Sequence, residues 1–141
     1  MQATLKPEPE AGHDPCTQLL VRSWRLIMVR GVECPLVTHE FRCACGLDGR
    51  EVLRACCAFL CALAFSQRRR LWVNPPGEPR LTADETDMLR LIAAAQNGCA
   101  PLLDAQLSGL ARQPLRAALE HSVRELGALL QARQLRLPRP A

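Results

Sequence analysis

Ala55-Cys56-Cys57-Ala58-Phe59-Leu60-Cys61-Ala62-Leu63-Ala64-Phe65 carries no polar side chain. The run is shorter than the ~18 residues a membrane span requires, and it is too apolar for an element facing water on all sides. It is expected to form the inner half of a buried central helix over 49–67, because a helix apolar all round is one surrounded by others. Asp48 stands where an N-cap belongs, and Glu51 three residues on completes a capping-box-like pair. Ser66-Gln67-Arg68-Arg69-Arg70 marks the end of the helix.

The rest of the composition fits this centre. With 141 residues, 48% of them apolar, the chain is long enough for one domain with a true core. It has two Trp, three Phe and no Tyr, so the core must be built from Leu, Ala, Val, Ile and Cys. Such residues suit close-packed helices better than sheets, which favour β-branched and aromatic side chains. The fold class expected is all-α, a bundle of four to six helices, with one short extended segment at 71–73.

Helix boundaries follow from local punctuation. Asp14-Pro15 reads as an N-cap and first turn. The helix it opens, 15–30, has Leu20, Trp24 and Ile27 on one face, Arg22, Arg25 and Arg30 mainly elsewhere, and Gly31 at its end. A second helix is expected over 35–45, closed by Gly46. Thr82-Ala83-Asp84-Glu85 is a capping box opening a helix that runs to Asn97-Gly98, with Met88, Leu91, Ile92 and Ala95 on one side. Pro101 and Pro114 start two more, to about 111 and 135. In the last, Leu119, Val123, Leu126 and Leu130 form a seam of under two heptads, suited to docking on the body or on a second copy. Gly127 interrupts that seam at a cost of ~1 kcal/mol relative to Ala. Residues 1–13 and 136–141 read as disordered tails around a domain over 14–135.

Eight cysteines, at 16, 34, 43, 45, 56, 57, 61 and 99, are the chief chemical feature. The acidic, Pro-containing N-terminus has no apolar leader, so the expected compartment is cytoplasmic, where thiols stay reduced. Cys57 and Cys61 share a helix face, and His39 lies one turn before Cys43. His39 with Cys43 or Cys45, plus one or two of Cys56, Cys57 and Cys61, would offer zinc a mixed S/N set. No Cys-x-x-Cys knuckle supports that site, so no cofactor is assigned. Free cysteine also packs as a small hydrophobe, and in 55–62 it alternates with alanine as if filling the same volume. If a pair is reactive, Cys43 and Cys45 are the candidates, being outside the apolar run and beside Arg42.

The net charge is +4, with Lys6 the sole lysine among 18 basic residues. Arg68-Arg69-Arg70 followed by Leu71-Trp72-Val73 is the densest basic spot. It could grip phosphates and stack a base, or simply offset the dipole at a helix C-terminus. The arginines elsewhere are dispersed, and no nucleic-acid motif accompanies the triplet, so nucleic acid is not the expected partner.

The order of features resembles a group of small uncharacterised proteobacterial proteins, a domain of unknown function. The pieces are Arg25 to Met28, Phe41, the 55–65 run, 71–76, and Pro79-Arg80-Leu81-Thr82-Ala83-Asp84-Glu85. Members carry several cysteines just before the Pro-Arg, where this chain has Asn74-Pro75-Pro76-Gly77-Glu78. The resemblance implies a fold and a bacterial source, and no activity.

No Gly-rich phosphate loop, Gly-x-Ser-x-Gly elbow or carboxylate pair stands out, so the expectation leans away from an enzyme. The function expected first is a protein-interaction or regulatory module, or a homodimer, working through Leu119, Val123, Leu126 and Leu130 or through Leu71, Trp72 and Val73. The alternatives are a thiol redox- or metal-responsive module using Cys43 and Cys45, and nucleic-acid binding through Arg68, Arg69 and Arg70. No membrane association is expected.

Overall fold

The computed structural model describes residues 13–138. The chain forms the expected all-α bundle. Its elements, in order, are α1 (Pro15–Arg30), α2 (Pro35–Cys45), a 3-10 turn (Gly46–Asp48), α3 (Gly49–Ser66), α4 (Ala83–Asn97), α5 (Ala100–Leu110) and α6 (Arg116–Ala132). Among the described residues the only β pairing is an isolated antiparallel bridge between Gln67 and Ala111. No described helix is long and apolar enough to cross a membrane.

Side-chain caps set the starts of α1 and α4. Asp14 accepts from the Thr17 amide at 2.9 Å. Thr82 and Glu85 cap α4 reciprocally, at 2.9 and 2.8 Å, and Gly98 closes it with a left-handed φ of 66°. The expected cap of α3 is different. Asp48 makes no capping bond; it forms an ion pair with Arg133, just past α6. Its backbone, at φ −89° and ψ 4°, belongs to the 3-10 turn and lacks the extended geometry that aims a cap side chain at the helix amides.

α3 packs against α6 and α2, α4 lies against α6 and α5, and α1 packs on α2. Val52, Ala55, Cys56, Phe59 and Leu63 face inward from α3, and the Phe59 ring meets Trp24 of α1 at a centroid distance of 6.3 Å. Two surface expectations are corrected here. Leu119, Val123, Leu126 and Leu130 have no exposure at all; α6 buries its seam against its own chain, so that seam is core and not a contact face. Gly127 serves that packing, since a Cβ there would come within 3.2 Å of Gln96 Cγ on α4. Gln96 in turn donates to the carbonyls of Gly127 and Leu135, at 3.2 and 2.9 Å, and accepts from the Leu137 amide at 2.8 Å. Leu137 is buried. The C-terminal segment is therefore pinned through 137, one of the residues expected in a disordered tail. Of the expected tails, 1–12 and 139–141 lie outside the described residues, while at their inner ends the His13 carbonyl accepts from Gln18 and Arg136 donates to Asn97.

α3 also departs from an all-round buried helix. Neighbours cover one side of it, while Ala58, Cys61, Ala64 and Phe65 are exposed, Phe65 to 74%. The apolar run is longer than the core needs.

Candidate functional site

The arrangement begins with a buried ion pair. Arg25 is 4% exposed, contrary to its expected place away from the apolar face. Its guanidinium forks onto Glu85, with Nε to Oε2 at 2.8 Å and the second nitrogen to Oε1 at 2.9 Å. The remaining donors reach the carbonyls of Glu78 and Arg80, at 2.6 and 2.8 Å. A buried charge is tolerated when it is paired and hydrogen-bonded, and four hydrogen bonds hold this guanidinium. Glu85 also accepts from the amides of Asn74 and Thr82. Helices α1 and α4 thus jointly hold the irregular segment 67–82.

Asp84 does parallel work next door. It takes both guanidinium nitrogens of Arg69, at 2.6 and 3.1 Å, and the Trp72 amide at 2.8 Å. The Arg69 hydrogen bond, with the Trp72 amide assisting, holds the Asp84 carboxyl below the usual aspartate range despite burial, which acts the other way. The arginine triplet therefore has assigned partners. Arg69 is fixed on α4, and Arg68 Nε donates to the Ser108 carbonyl at 2.9 Å. Of the three side chains, only that of Arg70 has no partner among the described residues. The triplet lies beyond the last turn of α3 and forms part of the loop's scaffold.

This scaffold creates an open groove of about 720 Å³ between the C-terminal ends of α1 and α3 and the segment that follows α3. Met28, Leu60, Leu63, Leu71, Val73 and Met88 supply apolar walls, and Arg69, Arg70 and Arg112 supply the charge. No acidic side chain lines it. Large apolar side chains stand exposed beside it: Trp72 at 70% and Met28 at 65%, with Phe65 following the lining residue Ala64. Leu71, Trp72 and Val73, expected as a contact segment, are thus at the groove, with Leu71 and Val73 half-buried in its wall and Trp72 outside.

The thiol candidates are scattered. Cys43 is exposed on α2 with its sulfur 3.4 Å from His39 Nε2. Cys45, two residues on, turns inward and is buried, and burial pushes its thiol up. Residues two apart on a helix point to different sides, so one helix cannot present both to a common reactant. Cys57 is half-buried and Cys61 exposed. Among the described residues no group of three or more His, Cys, Asp or Glu side chains is placed to hold a metal.

Sequence reasoning missed the Arg25–Glu85 pair, although Glu85 was identified as a capping residue. Periodicity gave no signal for it, because Arg25 lies off the face of α1 that carries Leu20, Trp24 and Ile27. It also missed the groove, which is made by three segments distant in sequence. Comparison of the chain with protein-family models, with curated proteins and with solved structures finds no match.

Proposed function

We propose that this protein is a non-catalytic docking module whose contact face is the groove between α1, α3 and the segment after α3. One observation carries the reading: an open apolar groove flanked by exposed Met28, Phe65 and Trp72. Contiguous apolar surface of this kind is costly in water and typically marks a place where another molecule sits. The test places a photo-crosslinking amino acid at Phe65, and as a control at Arg124 on α6, in cells that make the protein. A discrete protein adduct from position 65 that is absent from 124 and lost in Ala64→Arg is expected. Equal crosslinking at the two positions would remove the reading.

A second reading, thiol chemistry, rests on the contact between His39 and Cys43. A neighbouring imidazole can accept the thiol proton. Alkylation of Cys43 at neutral pH should then slow in His39→Ala; an unchanged rate leaves Cys43 an ordinary surface thiol.

A further inference from the structure

The docking reading leaves open what the groove takes, and backbone and charge together narrow it. Trp72 gives its amide to Asp84 at 2.8 Å and its carbonyl accepts from Thr82 Oγ1 at 2.7 Å. Asn74 gives its amide to Glu85 at 3.1 Å. Alternate residues thus turn their backbone polar groups toward α4, the habit of an extended chain. Pro75 and Pro76 reinforce this, since a residue before proline is held in the extended region. In such a chain the intervening residues present their N–H and C=O groups the opposite way. Leu71 and Val73 are those residues. Both line the groove, and the backbone of neither has a hydrogen-bond partner among the described residues. The segment is one edge of a two-stranded pairing whose second strand the described residues do not supply.

Charge selects the second strand. Arg70 and Arg112 stand at the groove without an acid among the lining residues, Arg69 beside them being paired with Asp84, and among the described residues the Arg112 side chain is engaged only with the Phe65 carbonyl at 3.0 Å. A second copy docking by two-fold symmetry would set these arginines against one another. An acidic chain would meet them favourably and be steered toward them. We propose that the groove takes an extended peptide segment of a partner protein, alternating acidic and apolar residues, added as a strand along 71–73. This deepens the docking reading and rests on it. Strand addition of this type takes its affinity from the main chain and its specificity from alternate side chains. The arginines before 71 and the prolines after 74 keep the pairing short, since proline brings no N–H to a ladder.

The test uses three fluorescent synthetic peptides with the full-length protein: a Glu-Val-Glu-Leu repeat, its Lys-Val-Lys-Leu counterpart, and a Glu/Leu/Ala peptide patterned as an amphipathic helix. Fluorescence anisotropy should show the acidic alternating peptide bound at least about tenfold more tightly than either control. Amide exchange should slow at Leu71 and Val73 on binding. Arg70→Glu, a change at a side chain with no partner to lose, should weaken binding by about the same factor, and Arg70→Lys should restore most of it. Ala64→Arg should abolish binding. Preference for the helical peptide, equal binding of the basic one, or unchanged exchange at 71 and 73 overturns the inference. If that binding is still lost in Ala64→Arg, the docking reading stands. Absence of binding by all three peptides also overturns the inference, and crosslinking from position 65 then decides the docking reading by itself.

Discussion

Glu85 ties three parts of this molecule together. It caps α4, neutralises Arg25 and fixes the amides of Asn74 and Thr82. Truncating one partner of a buried pair leaves the other charge stranded, so Glu85→Ala should lose about 3–5 kcal/mol in urea unfolding. Replacing Arg25 and Glu85 together with Met should cost less than Glu85→Ala alone, because no charge is left buried. A double variant as unstable as the sum of its singles would show that the two residues act separately. Asp84 gives a pH signature. Its folded pKa lies below its unfolded value of ~3.9. Its contribution is therefore complete above that value and is lost as pH falls through the lower folded one. The stability gap between the protein and Asp84→Asn should be constant near neutrality and close in acid. A gap independent of pH down to acid denaturation would mean that the carboxylate is not favoured by Arg69.

At the scale of elements, two glycines should respond to the same substitution with opposite signs. Gly49 begins α3 where it crosses α2, and an added Cβ would lie 2.7 Å from the Phe41 carbonyl oxygen. That obstacle is backbone and cannot swing aside, so Gly49→Ala should destabilise by about 1–3 kcal/mol. Gly109 lies in α5 with nothing within 4 Å of the added carbon, and Gly109→Ala should stabilise by about 0.5–1 kcal/mol through helix propensity and a less flexible unfolded chain. Chemical denaturation of both variants checks the pair. The contrast also shows what a sequence can reveal. Helix ends were legible because Asp14, Thr82 with Glu85, Gly98 and the prolines act within a turn of themselves. Which side of each helix is covered was not, because that depends on neighbours far along the chain. Arg25 went inside to meet α4, the α6 seam was claimed by its own protein, and the outer face of α3 was left bare. The segment 71–73 was recognisable as extended and apolar, but its role as a groove wall depends on Met28 and Met88 arriving from other helices.

For the molecule as a whole, the cysteines report on the packing and on the open face at once. Cys16, Cys34, Cys45 and Cys56 are buried, Cys57 is half-buried, and Cys43, Cys61 and Cys99 are exposed. Burial pushes the thiols of Cys16 and Cys56 up to about 12. Those two are therefore unreactive at neutral pH both for want of access and for want of thiolate. Alkylation followed by mass spectrometry should label Cys43, Cys61 and Cys99 first and Cys57 more slowly. The four buried thiols should label only as the protein opens, since core positions exchange through global unfolding. Rapid labelling of Cys16 or Cys56 would contradict the packing of α1 and α3. Cys61 carries the further information, because it sits on the outer face of α3 beside Phe65. If that face meets a foreign partner, the rate at Cys61 should not depend on protein concentration. Protection of Cys61 that grows with concentration, while Cys99 stays reactive, would identify a second copy of the chain as the occupant and exclude the acidic strand.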